Sequence, residues 1–276
     1  FINTRSKIAV RMMTRKKDTV VDDAFIEMRV RDAWEYRKTT VDTSSCRLIF
    51  GEADAFPGLT VDRFENLLVT QTLSLGMEKI KDMLFPLIVE VLEQDGETID
   101  GLFERNDVVL REKEGLTQNK GWFPLPGKKT PESPITEICE NGVFYRVDVE
   151  NGQKTGFFLD QRENRELVKR YAKGRTVLNT FCYTGGFSVY AMAGGARKVC
   201  SVDSSERAVT LATENMVLNF GREADFCEIA ADAVEYLKDI GDKYDLIILD
   251  PPAFAKHHKV LGNALQGYKR LNARAI

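Results

Sequence analysis

The stretch TVLNTFCYTGGFSVYAMAGGARKVCSVD, residues 176–203, decides the fold of this protein. An apolar, strand-like run at 177–181 leads through two glycines into a helical pattern at 186–193, and a second apolar run follows at 199–203. A strand, a helix and a strand in this order form a right-handed unit whose two strands lie parallel in one sheet. The stretch therefore predicts an α/β fold.

The same alternation continues downstream. Strand-like runs at 226–230 and 246–250 alternate with helical patterns at 206–220 and 233–240, which predicts a parallel sheet with helices on both faces. Ligands of such sheets bind beyond the carboxyl ends of the strands, where the strand order reverses. The run Leu246–Leu249 is typical of an interior strand. Because only one more helical pattern follows it before Ile276, we expect further strands after that residue and a C-terminally incomplete domain.

A smaller α+β domain is predicted upstream. Asp22 and Asp23 are expected to cap a helix to about Lys38, and strands are expected at 47–50, 59–63, 67–73 and 99–104. A helix at 77–93 carries Pro86, which predicts a kink or a split. A short strand is expected at 8–12 and a linker at 115–134. Asn141-Gly142, between apolar runs at 135–139 and 143–149, predicts a hairpin.

Composition limits the class of protein. The chain has 276 residues, of which 43% are hydrophobic and 29% charged, as in globular proteins. No apolar run is long enough to span a membrane. The five cysteines lack paired spacing and the two histidines are adjacent. This argues against a disulfide scaffold and a metal site, and favours a reducing cytoplasm.

The charge is unevenly distributed along the chain. The formal net charge is −3, yet residues 1–17 contain six basic residues and residues 251–276 contain five, with no acidic residue in either segment. Two basic ends on an acidic body are compatible with a phosphate-binding face. Two solvated charge clusters are the equal alternative.

Polar residues at the strand tips indicate a nucleoside-type cofactor. Gly185 and Gly186 at the first strand-to-helix turn allow a ligand close to the backbone, but the turn matches neither the dinucleotide nor the P-loop fingerprint. Asp203 follows Gly185 by 18 residues, close to the spacing of a ribose-binding acid. Asp232 and the Ala233 amide could contact adenine. The set favours S-adenosylmethionine, which has no pyrophosphate.

The sequence Asp250-Pro-Pro-Ala-Phe254 follows the fourth strand. Pro251 and Pro252 fix the turn and hold Asp250 outward. Phe254 can stack on a planar base, so the loop suits an extruded nucleobase. A rigid loop with a core phenylalanine is the alternative.

Three ordered motifs carry a resemblance to a known family. Residues 151–165 read NGQKTGFFLDQRENR, residues 181–187 read FCYTGGF and residues 250–256 read DPPAFAK. Together they resemble the RlmI-like family of class I methyltransferases, which act on cytosine C5 of large-subunit ribosomal RNA. Residues 104–107 and 56–63 resemble the central domain of that family, and residues 1–3 the last strand of its PUA domain.

The resemblance implies three domains: the end of a PUA-like RNA-binding domain at 1–20, a central α+β domain at 21–130, and a Rossmann-like methyltransferase domain at 131–276. It implies that 154–165 packs over the cofactor. The candidate cofactor-binding residues are Asp160, Arg162, Phe181, Thr184, Gly185, Gly186, Phe187, Asp203, Ser204, Asp232, Ala233 and Asp250. Asp250 is also the catalytic candidate, and Pro251, Pro252 and Phe254 are expected to contact the base. Arg5, Lys7, Arg11, Lys154 and Lys256 are expected to hold RNA phosphates.

One departure concerns the nucleophile. The family members that methylate C5 are expected to use a cysteine on a strand after Ile276, whose thiolate adds to C6. Cys182, in the cofactor loop, is a weak candidate for that role. The sequence thus predicts a cytoplasmic, S-adenosylmethionine-dependent RNA methyltransferase, with a homodimer left open. The alternatives are methylation of a purine of RNA and a non-catalytic RNA-binding protein with this fold.

Overall fold

The structure is a computed structural model that describes residues 2–241, 243–255 and 261–276. Contacts divide the chain into two compact units, Phe1–Ile138 with Val147–Leu159 and Cys139–Arg146 with Asp160–Ile276. The division therefore falls at other residues than the predicted boundaries after residues 20 and 130. Met13 of the basic N-terminal segment lies in the core of the first unit, which explains why that segment belongs there.

The first unit is built on a five-stranded sheet of order β1-β2-β3-β4-β5. Strands β3 and β4 are parallel and the other neighbours are antiparallel. Helix α2 makes the crossover that parallel neighbours require. The elements are α1 (Asp23–Thr40), β1 (Ser45–Phe50), β2 (Leu59–Phe64), β3 (Leu67–Thr72), α2 (Leu75–Gln94), β4 (Gly101–Asn106) and β5 (Asn119–Phe123).

Local signals set the two helices of this unit. The Asp22 carboxylate accepts a hydrogen bond from the Phe25 amide at 2.9 Å, which confirms the predicted cap. Helix α2 runs unbroken through Pro86, so the helix is not split there. Phe85 and Ile88 beside that proline are fully buried in the core, and their packing offsets the lost backbone hydrogen bond.

Two predictions for the first unit are wrong. Strand β5 lies inside the segment predicted as a linker and pairs with β4, with Trp122 opposite Phe103. The two rings meet edge to face at 5.0 Å between centroids, so aromatic packing outweighs the glycines and prolines nearby. Residues 8–12 form no strand and contribute one isolated bridge, between Ile2 and Val10.

The second unit contains a four-stranded parallel sheet of order β10-β9-β8-β11. The strand order reverses between β8 and β11, which is the expected position of a ligand site. Helices α4 and α5 pack on one face of the sheet, whereas Leu237 and Leu271 belong to a core cluster with Cys200 and Val202 of β9. The elements are α3 (Arg162–Ala172), β8 (Thr176–Thr180), α4 (Gly186–Ala193), β9 (Lys198–Asp203), α5 (Glu206–Phe220), β10 (Phe226–Ala230), α6 (Ala233–Tyr236), β11 (Leu246–Leu249) and α7 (Leu261–Ala275).

A hairpin precedes α3 and confirms the turn prediction. Strands β6 (Ile135–Glu140) and β7 (Val143–Asp148) form a two-stranded sheet. Asn141 and Gly142 at its turn have φ of 50° and 80°, the left-handed backbone that this type of turn needs.

The structure corrects the expectation about cysteines. Cys200 of β9 and Cys227 of β10 are in-register neighbours with Cα atoms 4.7 Å apart, and they form a disulfide. Two strand-borne cysteines that meet only in the folded sheet leave no recognisable spacing in the sequence. Among the residues that the structure describes, no helix has the length and apolar character to cross a membrane.

Candidate functional site

The predicted acids leave the sheet of the second unit at one edge. Thr180, the last residue of β8, pairs with Leu249, the last residue of β11. Asp203 at the end of β9 pairs with Ala230 at the end of β10. Because the strands are parallel, the acids that follow β9, β10 and β11 emerge at the same edge, next to the loop after β8. This agrees with the predicted arrangement.

The loop after β8 has an unusual backbone. Phe181, Tyr183 and Gly185 have φ of 56°, 49° and 77°. Left-handed backbone is uncommon for aromatic residues, and such strained positions cluster at functional sites. A Cβ at Gly185 would lie 3.0 Å from the Cβ of Ala212, so α5 packs directly against the turn. Nothing in the sequence signalled the two strained aromatic residues.

Asp203 joins this loop to β9. Its carboxylate accepts hydrogen bonds from the Tyr183 amide and the Ser205 amide, each at 3.0 Å. A carboxylate offers about four lone-pair sites, so both oxygens can still accept from a ligand. The adjacent Ser204 is exposed. The structure thus brings together the glycine loop and the predicted ribose-binding acid.

Thr184 supplies a buried polar atom beside the same loop. Its side chain is 3% exposed, and within the described residues its Oγ1 has no hydrogen-bond partner. Buried polar atoms are normally satisfied, so the hydroxyl is suited to a ligand. Gly186 begins α4 and accepts from the Tyr145 hydroxyl at 2.9 Å through its carbonyl. Phe187 is half-buried.

A buried cluster around Glu140 was missed by the sequence analysis. The Glu140 carboxylate accepts from Arg165 at 2.7 and 2.8 Å and from Arg162 at 3.1 Å. It also accepts from the Tyr190 hydroxyl at 3.1 Å. The Arg165 side chain lies 3.3 Å from the position of a Cβ on Gly186, so the cluster adjoins the start of α4. Negative charge is favoured at the start of a helix, so this place suits the carboxylate of an amino-acid moiety.

The motif 151–158 belongs to the first unit, where it is held by buried side chains. Arg105 donates to the carbonyls of Val149 and Gly152, both at 2.9 Å. The Thr155 hydroxyl donates to Asp62 at 2.6 Å. Lys154 is exposed, with its ammonium 4.3 Å from the Phe158 ring centroid. Asp160 and Arg162, which the resemblance places near the cofactor, belong to the second unit, and Asp160 is exposed.

Asp232 has a structural role, and its contact with adenine stays a prediction. Its carboxylate accepts from the Glu235 amide at 2.9 Å and caps α6, while the side chain stays exposed. Ala233 is 3% exposed, so only its backbone amide could reach a ligand. Helix α6 ends at Tyr236 and is shorter than predicted.

The loop after β11 exposes its acid and covers part of its aromatic residue. Asp250 and Pro252 are exposed, and Pro251 is half-buried. The Phe254 ring is half-buried against Tyr268, with ring centroids 4.6 Å apart. The ring is therefore packed on one side, and its stacking on a base stays a prediction.

Burial changes the acid–base behaviour of two side chains near the loop after β8. Burial raises the pKa of the Cys182 thiol well above its usual range, with a further contribution from the charges of Asp203 and Glu228. At neutral pH Cys182 is therefore a neutral thiol, which makes it a poor nucleophile. Burial also raises the pKa of Glu228 to about 7.

The residues expected to bind phosphate differ in their surroundings. Arg5 and Lys7 are exposed. Arg11 is paired with Glu52 and with Glu114, both at 3.1 Å, so its charge is already compensated and the expectation that it contacts RNA is not favoured. Lys256 lies outside the described residues. The first unit also has a cavity of about 1070 Å³ whose lining includes the basic side chains of Arg15, Lys16 and Arg29.

The fold and the edge of the sheet define a class of protein. Three features fit a nucleoside-type methyl donor. They are a glycine turn after the first strand, an acid after the second strand that can bind ribose, and between them a buried hydroxyl that has no hydrogen-bond partner within the described residues. Among the described residues no group of three or more His, Cys, Asp or Glu side chains could hold a metal ion. The second unit is that of a Rossmann-like, S-adenosylmethionine-dependent methyltransferase.

Comparisons with known proteins agree with this class. The profile of the S-adenosylmethionine-dependent methyltransferase family matches residues 129–275. Ribosomal RNA large subunit methyltransferase I of Tolumonas auensis is 40% identical over 98% of this chain and 68% of its own length. The protein of the same name from Aliivibrio fischeri is 40% identical over 99% of this chain and 68% of its own length.

A solved structure shows the same fold. A protein from Streptococcus mutans, assigned as an S-adenosylmethionine-dependent methyltransferase, has a TM-score of 0.73 and 27% identity over 92% of this chain. This chain spans 66% of that protein, slightly less than two thirds. The chain therefore belongs to the S-adenosylmethionine-dependent methyltransferase family, in the group whose curated members are named ribosomal RNA large subunit methyltransferase I, which confirms the resemblance and the cofactor.

Proposed function

We propose that this chain supplies the cofactor and base sites of an enzyme that transfers a methyl group from S-adenosylmethionine to large-subunit ribosomal RNA and forms 5-methylcytosine. The observation that carries the proposal is the common sheet edge, where the glycine turn, Asp203 and the Asp250 loop emerge together. The bound cofactor supplies an electrophilic methyl group. The names of the curated relatives, at about 40% identity, support ribosomal RNA as the substrate.

The residues of the chain have different roles in the proposed reaction. Asp203 accepts from the ribose hydroxyls, and the Thr184 hydroxyl and the Glu140 cluster hold the amino-acid part of the cofactor. Asp250 and the backbone carbonyls beside it accept hydrogen bonds from the edge of the extruded base, which the two prolines hold in place. Arg5, Lys7 and the basic side chains around the cavity of the first unit contact phosphates. Ribosomal RNA as the substrate also implies a cytoplasmic location.

The position of the transferred methyl depends on a nucleophile. Methylation at cytosine C5 needs a thiolate that adds to C6. Cys182 is buried and protonated, so it does not suit this step. The family resemblance assigns the nucleophile to a cysteine on a strand after Ile276. A second candidate is an exocyclic amine of a purine, which the exposed Asp250 favours because a carboxylate there accepts from an NH₂ group.

Calorimetry with S-adenosylhomocysteine tests the cofactor site. Asp203→Ala should weaken binding by about 10- to 100-fold, because charged hydrogen bonds contribute about 1.5–3 kcal/mol. Asp239→Ala, at an exposed acid on the same unit, should bind like the wild type. Equal binding by both variants, or no binding by the wild type, would contradict the proposal and favour a non-catalytic RNA-binding protein.

Transfer of a radioactive methyl group to unmodified large-subunit ribosomal RNA, followed by mass analysis of the nucleosides, tests the substrate. We expect 5-methylcytosine, whereas a methylated purine would identify the second candidate. RNA retention on filters should fall as salt rises, since phosphate contacts release counterions. Salt-insensitive binding would contradict the assignment of phosphate contacts.

A further inference from the structure

The loop after β11 is held by a helix that comes later in the chain. The Phe254 amide donates a hydrogen bond to the Tyr268 hydroxyl at 3.3 Å. The two rings lie 4.6 Å apart between centroids and are tilted by 40°. Tyr268 of α7 therefore contacts the loop in two ways, through a polar bond to its backbone and through an aromatic contact with its side chain.

The residue before Tyr268 explains how α7 comes so close. A Cβ on Gly267 would lie 3.1 Å from Cδ2 of Phe254, tighter than ordinary van der Waals contact. Glycine is unfavourable inside a helix, so its presence in the middle of α7 needs a reason. The Phe254 ring supplies that reason, because it occupies the space of the missing side chain.

Helix α7 also contacts the second unit elsewhere within the described residues. Its buried residues are Ala264 and Leu271, which share one face with Gly267 and Tyr268. Arg274 donates to the carbonyl of Val234 at 3.2 Å. The contact with Phe254 therefore lies midway between the two buried residues of α7. A substitution at this contact would act on the loop after β11.

We propose that Tyr268 is a positioning residue for the substrate base. It fixes the backbone and ring of Phe254, and through the short proline-containing turn it fixes Asp250, so that an extruded nucleobase meets an aromatic face and a hydrogen-bond acceptor already in place. Preorganised groups lose less entropy when the substrate binds. This inference rests on the proposed function, because it concerns the base-binding loop of the same site.

Hydrogen exchange of the Phe254 amide tests the contact itself. Tyr268→Phe keeps the ring and removes the acceptor, so the amide should exchange about tenfold faster. Tyr268→Ala removes both contacts and should exchange faster still, as should Gly267→Ala, which displaces the ring although alanine favours the helix. Leu265→Ala, at an exposed position of α7, is the control. Wild-type exchange in Tyr268→Ala would overturn the proposal.

Kinetics of methyl transfer to RNA test the consequence. Tyr268→Ala should lower kcat by about tenfold or more, Tyr268→Phe should recover part of that loss, and both should bind S-adenosylhomocysteine like the wild type. Unchanged kcat in Tyr268→Ala, or an equal loss of cofactor affinity, would overturn the positioning role while the proposed function stands. If the wild type bound no S-adenosylhomocysteine, the proposed function would fail, and the exchange data would still decide whether Tyr268 fixes the loop.

Discussion

Gly185 tolerates no side chain, because two separate constraints act on it. Its φ of 77° lies in the left-handed region, and a Cβ would meet Ala212 at 3.0 Å. The first constraint comes from the turn and the second from the packing of α5. Both act on the loop whose backbone also presents Thr184.

Substitution of Gly185 separates the two constraints. Gly185→Ala should lose about 1–2 kcal/mol of unfolding free energy from the backbone and about 1–3 kcal/mol more from overpacking. Gly174→Ala, at a φ of 70° with no atom within 4 Å, should lose only the first part. Urea denaturation measures both, and equal losses would show that Ala212 exerts no constraint.

Glu228 predicts a dependence of stability on pH. Burial raises its pKa in the folded protein to about 7, above the value of an unfolded chain. Below about pH 4.5 the group is protonated in both states. As the pH rises towards 7, Glu228 loses its proton first in the unfolded state, so the free energy of unfolding falls. Above pH 7 this loss of stability is constant.

Glu228→Gln should remove that loss of stability. We expect the variant to be more stable than the wild type at pH 8 by about 1–3 kcal/mol and equally stable near pH 4.5. Glu223→Gln, at an exposed position of the same unit, is the control. Urea denaturation at both pH values measures the effect, and a gain that is the same at each pH would refute the assignment to Glu228.

Local sequence was enough to find Gly185 and Asp203, because a glycine turn and an acid at the end of a strand are fixed within one strand–helix–strand unit. Glu140 and Tyr268 depend on packing between segments far apart in the chain. Glu140 meets Arg165 across 25 residues and Tyr268 meets Phe254 across 14. Neither contact follows from a repeat or a spacing within one motif, so these contacts could not be predicted from the sequence.

At the level of elements, the regular alternation of strand-like runs with helical patterns predicted the parallel sheet. The periodicity of the sequence did not predict β5, because its residues are half-exposed and flanked by glycine and proline. Strand β5 pairs with the edge that β4 offers. The split that Pro86 allowed does not occur, since the core on both sides of that residue holds α2 together.

The contact between the β6–β7 hairpin and α3 gives a prediction for elements. Glu140→Ala leaves Arg165, whose side chain is 3% exposed, without its carboxylate, and should cost about 3–5 kcal/mol of unfolding free energy. Glu214→Ala breaks the pair with Arg146, in which both side chains are over 40% exposed, and should cost less than about 1 kcal/mol. Thermal unfolding compares them, and similar losses would argue against a buried ion pair.

For the whole molecule, the chain passes between its two units three times, after Ile138, Arg146 and Leu159. The short segment Cys139–Arg146 gives the second unit Glu140 and the Tyr145 hydroxyl that bonds to Gly186. The charge and composition of the sequence could not reveal that this segment belongs to the second unit, since both vary over stretches longer than its eight residues.

Fragments test that dependence. A fragment of residues 139–276 should fold cooperatively, whereas one of residues 160–276 should lose at least about 3 kcal/mol by losing the carboxylate of Glu140. Circular dichroism during urea denaturation distinguishes them. If the shorter fragment were as stable as the longer one, the segment Cys139–Arg146 would not be part of the second unit.

The return of Val147–Leu159 to the first unit, where Arg105 and Asp62 hold it, has an evolutionary consequence. A single recombination event that exchanged everything after the hairpin would bring in a foreign copy of that stretch, which must match arginine and aspartate partners left behind in the host. Viable chimaeras would need either two crossover points or parents that share these partners, so the halves of such enzymes should be inherited together.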